Sequence, residues 1–387
     1  VHPPRVHSFT LNGMHHPKLS DIAGIINKKY PFRLAEDWDN VGIQLGTLTT
    51  EIRRILVALD PLPAVFDEAL AQHCDLLVTH HPLIFSPLRQ ITSSTSTGSS
   101  IIKAIRGGLA HLAMHTNFDI AGDGLNDLLA ARLQLQGITP LKVSGHVELV
   151  KLVVFVPADQ LEQVRHALCA HAEQLGNYRD CSFAAPGEGT FLPLEGAQPA
   201  IGCVGSLERV AEQRLELLVR RDRLTKAVRT LLAVHPYEEP AFDCYPLLNE
   251  SQAYGLGRIG RLAAPQPLQE LARTIGNRLG CRDLRVVGDR SRTIQTVALC
   301  SGSGASLLRE AARAGADLLL TGDVKYHDAR EAEALGIALL DAGHFPTEQL
   351  MVGAVRDFLI HSCQAAGYAV EVFGSRCEAD PFHTITV

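Results

Sequence analysis

Two neighbouring histidines, His80 and His81, stand where an apolar run ends in "DLLVTHHPLIF" (residues 75–85). Adjacent residues of a strand point to opposite faces, so two such imidazoles are ill placed to share one ion. They sit, however, where the strand gives way to Pro82 and strict alternation lapses. Two metal ions side by side could then take one ring each. Other donors stand at the ends of other apolar runs: His115 and Asp119 in "HTNFD", Thr321, Gly322 and Asp323 in "TGD", and His344 and Glu348, four residues apart, in "GHFPTE". If a helix begins near Pro346 and Thr347, that last ring and carboxylate can converge. A lone histidine such as His115 is more often a satisfied core residue than a ligand. The weight lies in the recurrence of donors at successive strand ends. A His/His/Asp/His/Glu set offers three neutral nitrogens and two carboxylates, which suits Zn²⁺, Mn²⁺, Fe²⁺ or Co²⁺ rather than Ca²⁺ or Cu(I). Five ligands exceed the needs of one catalytic zinc, so two ions bridged by a carboxylate are expected. The chemistry then allowed is hydrolysis, with metal-bound hydroxide as nucleophile.

The elements that must position these residues recur in order. "RRILVALD", "DLLVTHH" and "LAHLAMHTNFD" read as strands, with helices in "PAVFDEALAQHC" and in "IIKAIRGG", which stops at Gly107 and Gly108. "TVALC", "DLLLTGD" and "IALLDAGHF" repeat the pattern near the C-terminus, with helices between them. "CDLLVTHH" lies on "ADLLLTGD", and the two halves read as a duplicated β-α-β-α-β unit. Such a unit predicts an α/β fold of two lobes with largely parallel sheets, and sites beyond the strands' carboxyl ends. Lobes are expected over residues 17–148 and 249–387. Between them, residues 149–248 read as an inserted α+β domain of ferredoxin-like order. In that insert, "YRDCSFAAPGEGTFLPL" is expected to be a hairpin turning at Pro186 and Gly187, and "LERVAEQRLELLVRR" fits strand or helix. Residues 1–16 are expected to be a polar extension outside the fold, with Met14 a candidate start and no metal role for His15 or His16. Ser20 is the expected N-cap of the first helix, and the Ser/Thr-rich residues 91–100 an unstructured loop.

Bulk properties exclude several classes. The 387 residues carry a net charge of −6 with no basic cluster beyond "RRDR" (residues 220–223), which argues against nucleic-acid binding. No apolar run is long enough to span a bilayer. The nine scattered cysteines, without a CxxC pair, point to reduced thiols and a cytoplasmic setting.

The motifs "EDWDNVGIQLG", "VTHHPLIF", "HTNFDIAGDGLND", "HPYEEPAFDCYPL", "GLGRIGRL", "TGDVKYHDA" and "DAGHFPTE" run in order from about residue 18 to the C-terminus. Together they resemble the NIF-three-like family of dinuclear metal proteins, often named type 2 homologues of GTP cyclohydrolase I. The resemblance implies two α/β lobes facing across a dinuclear site, an insert similar to PII and CutA proteins, and a homohexamer built as a trimer of dimers. It implies His80, His81, Asp119, His344 and Glu348 as ligands of two divalent ions, with Glu348 bridging. His115 occupies a motif position outside that set.

Further residues have two readings each. Trp38 and Asn40 either line the site mouth and bind substrate or form a capped turn with a packed indole. Asp323, Lys325, Tyr326, His327 and Asp328 share a loop that lies, by the duplication, opposite the His80–His81 strand end. Asp323 is there a substrate-binding candidate, and Lys325 and His327 are candidates for anion contact or proton transfer; the other reading is an interlobe hydrogen-bond network. "CSGSGAS" resembles an anion-binding glycine turn. His235, Glu238 and Glu239 either face the cavity or close a structural hairpin. Two functions compete. One is a metal-dependent hydrolase acting on a nucleotide or other small molecule, with attack at C8 of the guanine of GTP as the family-implied case. The other is a non-catalytic metal-binding, metal-delivery or regulatory protein that senses a small molecule through its insert. A binuclear phosphoesterase is disfavoured, because GDxxD and GNH(D/E) blocks are missing.

Overall fold

The computed structural model describes residues 15–249, 251–281 and 283–385. The chain forms two compact units. One joins the segment before Gly145 to the segment after Ala253, and the other is Gly145–Ala253. In chain order the strands are β1 (Gly42–Leu45), β2 (Arg54–Ala58), β3 (Leu76–Thr79), β4 (Ala110–Ala113), β5 (Gln136–His146), β6 (Leu149–Pro157), β7 (Ser182–Phe191), β8 (Glu208–Arg220), β9 (Phe242–Pro246), β10 (Ala253–Pro267), β11 (Arg285–Val287), β12 (Thr293–Leu299), β13 (Leu318–Thr321), β14 (Ala338–Asp341) and β15 (Glu371–Gly374).

The first unit holds two mixed sheets, ordered β1-β4-β3-β2-β15 and β11-β14-β13-β12-β10-β5. In both, three central strands are parallel, and the strand beyond the last of them (β1 or β11) is antiparallel. The apolar runs are unbroken because each strand is buried on both faces. Along β2 and β3, Ile55, Val57, Leu76 and Val78 enter one core, and Leu56, Ala58 and Leu77 the other. Val297, Leu299, Leu318 and Leu320 divide from Ala298 and Leu319 in the same way. This is the two-residue alternation of a pleated strand.

Several expectations change. The lobes exchange their ends: β15 pairs parallel with β2, and Met351, Val355 and Leu359 of the helix Leu350–Ala365 pack into the first sheet's core. In return β5 joins the second sheet, and Leu129 and Ala130 enter its core. Side-chain periodicity decides which face of a strand is apolar and leaves its partner open, so a run as short as "EVFG" carries no sign of this exchange.

The residues at 91–100 are not all loop. Thr95 caps a helix, Ser96–Gly107, by accepting from the Gly98 N–H, and Gly108 ends it at φ +68. The first helix, Leu19–Lys29, is capped at Lys18 rather than Ser20, because the Asp21 carboxylate takes the Lys18 N–H. Of the expected extension, residues 1–14 lie outside the described residues. His15 and His16 lie within the fold, where they pair with Tyr368 and bond to Ala369 O. No helix among the described residues is long and apolar enough to cross a membrane.

In the second unit the sheet runs β7-β8-β6-β9, with every neighbouring pair antiparallel. The helices Leu161–Cys169 and Leu224–Val234 pack on one face. "LERVAEQRLELLVRR" is the strand β8. The hairpin expected at Pro186 and Gly187 is instead the middle of β7, an edge strand, where a residue without an N–H costs no ladder bond.

His111 is fully buried in β4. Its Nε2–H donates to Thr79 Oγ1, and the Thr79 hydroxyl donates to the His81 carbonyl, so this chain of bonds fixes the turn that carries the histidine pair. Burial lowers the His111 pKa from 6.5 to about 3. The unfolded chain therefore binds this proton below pH 6.5, while the folded chain refuses it until about pH 3, so stability falls as pH drops through that window. Between pH 6.5 and about 4.5 the wild type should lose on the order of 2 kcal/mol relative to His111→Gln. Parallel pH profiles of unfolding for the two proteins would contradict this.

Candidate metal centre

The site is built at the carboxyl ends of the parallel strands. His80 and His81 follow β3. Asp119 lies on the short helix Thr116–Ile120 after β4, rather than on the strand itself. His344 and Glu348 are the first and last residues of the helix His344–Glu348 after β14, which begins earlier than Pro346. Glu348 is 4% exposed, Asp119 7% and His80 fully buried.

The side chains converge on the Glu348 carboxylate. His81 Nε2 lies 3.1 Å and His344 Nε2 2.9 Å from Oε2, and His80 Nε2 lies 3.6 Å from Oε1. Asp119 Oδ1 is 3.8 Å from His80 Nε2. The rings of His80 and His81 are centred 5.1 Å apart and inclined at 52°, so the doublet presents two directions at the strand's end. Donor atoms of His81, His344 and Glu348 all fall within 4.8 Å of one another, as do those of His80, His81 and His115. Either group could hold a metal ion.

Each Nδ1 is already engaged. His80 donates to Met114 O, His81 to Asp60 and His344 to Asp323, each at 2.7 Å. This leaves the three Nε2 atoms turned inward. Two atoms there, His80 Nε2 and Glu348 Oε2, are buried and lack an aligned hydrogen bond despite their close neighbours. Outer N–H groups held by acceptors, with the inner nitrogens gathered on one buried carboxylate, are the arrangement of metal-binding imidazoles. The donor set thus fits divalent metal.

The electrostatics follow from the crowding. Burial opposes charging His81, but Asp60 and Glu348 outweigh it and raise the ring to about 10. Glu348 raises His344 to about 9 against burial, with Asp323 adding to it. His80 is also raised, Asp119 and Glu348 outweighing burial. Burial would lift Glu348, yet His80 and the other rings hold it well below the carboxylate range. Asp119 is raised by burial, with His80 opposing.

The remaining candidates separate. Trp38 is 59% exposed, with its ring 5.9 Å from Phe85 and 6.0 Å from His115. Asn40 donates to Ile84 O at 2.5 Å, clasping the loop after the histidine pair. Asp323 is taken up in bonding His344. Lys325 and His327 are exposed; Lys325 starts the helix Tyr326–Leu335, and His327 meets Tyr326 edge-on. The glycine turn in "CSGSGAS" meets the Glu348 carboxylate. His235 donates to Phe155 O, and Glu238 accepts from Gln198 N, both within the second unit.

The sequence reading missed the supporting residues. Asp60 ends the run after β2, the strand-end position that should have flagged it. Asn126 donates to Asp119 O and accepts from Ser301 N, and Ser301 Oγ donates to Asp119 Oδ1 at 3.3 Å. Asp39 accepts from His115 Nδ1 and from Thr116, which brings its carboxyl down to about 2 against burial.

Two outcomes follow. Gly302 has φ +57, and a Cβ there would stand 2.1 Å from Glu348 Oε1. Gly302→Ala should therefore weaken metal uptake on the order of 10–100-fold; unchanged uptake in a metal titration would contradict the geometry. Because His81 and His344 hold protons below about pH 9–10, uptake at neutral pH should release protons and tighten as pH rises towards 9. Calorimetry in buffers of different ionisation enthalpy measures this, and uptake without proton release is the contrary result.

The profile of the Duf34/NIF3 (NGG1p interacting factor 3) family matches residues 17–381. A GTP cyclohydrolase 1 type 2 homolog of Halalkalibacterium halodurans is 42% identical over 353 residues, 91% of this chain and 95% of that protein. The Bacillus subtilis protein of the same description is 38% identical over 353 residues, 91% of this chain and 94% of its own. The crystal structure of a Bacillus cereus protein related to NIF3 superposes with a TM-score of 0.90 at 37% identity, covering 96% of this chain and all of that one. By profile, identity and fold, the chain belongs to the Duf34/NIF3 family.

Proposed function

We propose that the chain is a metal-dependent hydrolase whose centre takes two divalent ions (Zn²⁺, Mn²⁺, Fe²⁺ or Co²⁺) on His80, His81, Asp119, His344 and Glu348, with Glu348 shared between them. The observation that carries this reading is the buried Glu348 carboxylate, faced by three imidazole nitrogens within 3.6 Å and lacking an aligned hydrogen bond at Oε2. Ions there would supply Lewis acidity towards substrate and water.

The chain's own residues do the rest. Asp60, Asp323 and Met114 O hold the imidazoles in one tautomer and orientation. Trp38 and Phe85 offer ring faces beside His115, which Asp39 fixes in turn, and these suit a substrate with a planar ring. The exposed Lys325 and His327 are the proposed residues for anion contact or proton transfer. The names of the relatives make GTP the first substrate to try, followed by other nucleotides and cyclic amides.

The second unit fits a ferredoxin-like, PII/CutA-like insert. Its support is the β-α-β-β-α-β element order and the antiparallel strand order. We also propose a cytoplasmic homohexamer, built as a trimer of dimers; all nine cysteines are free, in keeping with that compartment.

Purified protein should contain about two metal ions per chain by elemental analysis, as a centre of this donor number requires. Loaded with Zn²⁺, Mn²⁺ or Fe²⁺, it should turn over at least one member of a nucleotide and amide panel. His81→Ala and Glu348→Ala should abolish both metal content and turnover. Metal content without turnover on any substrate above these variants would leave a metal-binding or regulatory protein instead. Light scattering should show six chains per particle.

A further inference from the structure

The second unit carries chemistry that the metal centre does not use. Its sheet is covered by helices on one face only: Leu152, Val154, Val156, Leu215 and Leu217 pack beneath them. Residues of the opposite parity, among them Phe155, Glu212 and Arg214, therefore face the other side. That face would be open solvent, yet Glu212 is only 9% exposed. It borders a cavity of about 600 Å³ roofed by residues 191–200 and the turn around Tyr237. This is the size of a small-molecule site, and its walls are mostly apolar, as such sites are.

Charge inside the cavity is mostly negative: Glu188, Glu212, Glu238 and Glu239 line it against Arg214. Arg214 shares Glu216 with Lys151, at 2.7 and 2.9 Å. Glu212 has no ion-pair partner among the described residues. Its Oε1 accepts from the neutral Tyr237 hydroxyl at 3.0 Å, and burial with Glu212 beside it pushes that phenol upward. The other oxygen, Oε2, lies against Gly189, where a Cβ would come within 2.1 Å. Glycine at that position in β7 leaves the carboxylate its room. The ring of Phe191 stands 5.7 Å from that of Tyr237, so an aromatic wall adjoins the carboxylate.

We propose that this cavity binds a small molecule in which a planar ring carries a cationic nitrogen, with the ring against Phe191 and Tyr237 and the nitrogen on Glu212. A buried carboxylate lacking a cation is costly unless a partner arrives, and aromatic faces attract both rings and cations. The inference stands on the second unit alone and does not depend on the metal centre.

The test uses the full-length chain and two probes of similar shape and opposite charge, tryptamine and indole-3-propionate, read by saturation-transfer NMR. Tryptamine should bind saturably at millimolar concentration or below, and indole-3-propionate should not. Glu212→Gln, which keeps the shape of the side chain, should weaken tryptamine at least fivefold, and Phe191→Ala should weaken it as well. His81→Ala should leave it unchanged, which separates this cavity from the metal centre. Melting curves identify any variant that unfolds, and Gly189→Ala, which displaces the carboxylate without removing it, serves in place of one that does. Absence of saturable tryptamine binding, equal binding of both probes, or binding indifferent to Glu212→Gln and Phe191→Ala would each overturn the proposal.

Discussion

A carboxylate removed from water is the constraint around which the first unit is organised. Glu348 is almost wholly buried, and moving such a charge into an interior costs several kcal/mol unless opposing charge surrounds it. His80, His81 and His344 supply that surrounding, each ring raised above its usual pKa beside the acidic groups it faces. Their outer nitrogens are tied in turn to Met114 O, Asp60 and Asp323. The short helix holding Glu348 is fixed from outside: Thr347 Oγ1 accepts from Gly302 N, and Gly302 leaves the space a Cβ would take from the carboxylate. Changes at any of these positions are felt at the same two oxygens.

The two similarly ordered sheets make complementary contributions to the site. Thr79 and Thr321 end equivalent strands and do similar work. Thr79 donates to the His81 carbonyl, and Thr321 donates to the Gly302 carbonyl. After them the halves diverge. His80 corresponds to Gly322, where a Cβ would strike the backbone of Gly343 and His344 at 2.7 Å. His81 corresponds to Asp323, which orients His344. One half presents imidazoles; the other makes room for and steers the ring that meets them.

Besides the exchange of β5 and β15, a buried arginine joins the two sheets. Arg258 of β10, 3% exposed, bonds both oxygens of Asp127 and the carbonyls of Ala121, Gly255 and Gly257. An arginine fork so fully satisfied ties the second sheet to the segment that follows Asp119. Asn126, next to Asp127, reaches both Asp119 and Ser301. The placement of one acidic residue is thus shared by both sheets.

How much of this was legible beforehand depends on the range of the interaction. Strands buried on both faces, the glycine stop at Gly108 and the donors at strand ends are local patterns, and "DLLVTHH", "HTNFD" and "GHFPTE" displayed them directly. The family likeness rests on the same short motifs. Partners separated by long stretches of chain left no such trace: Asp39 behind His115, β15 beside β2, and the cavity on the open face of β6 and β8. The sequence by itself determined which residues are candidate donors at the strand ends and which faces are apolar, because residue type and periodicity are properties of short segments. The tertiary structure alone decided that three imidazoles and Asp119 gather at the buried Glu348 carboxylate, because strand pairing across hundreds of residues is selected by packing and burial.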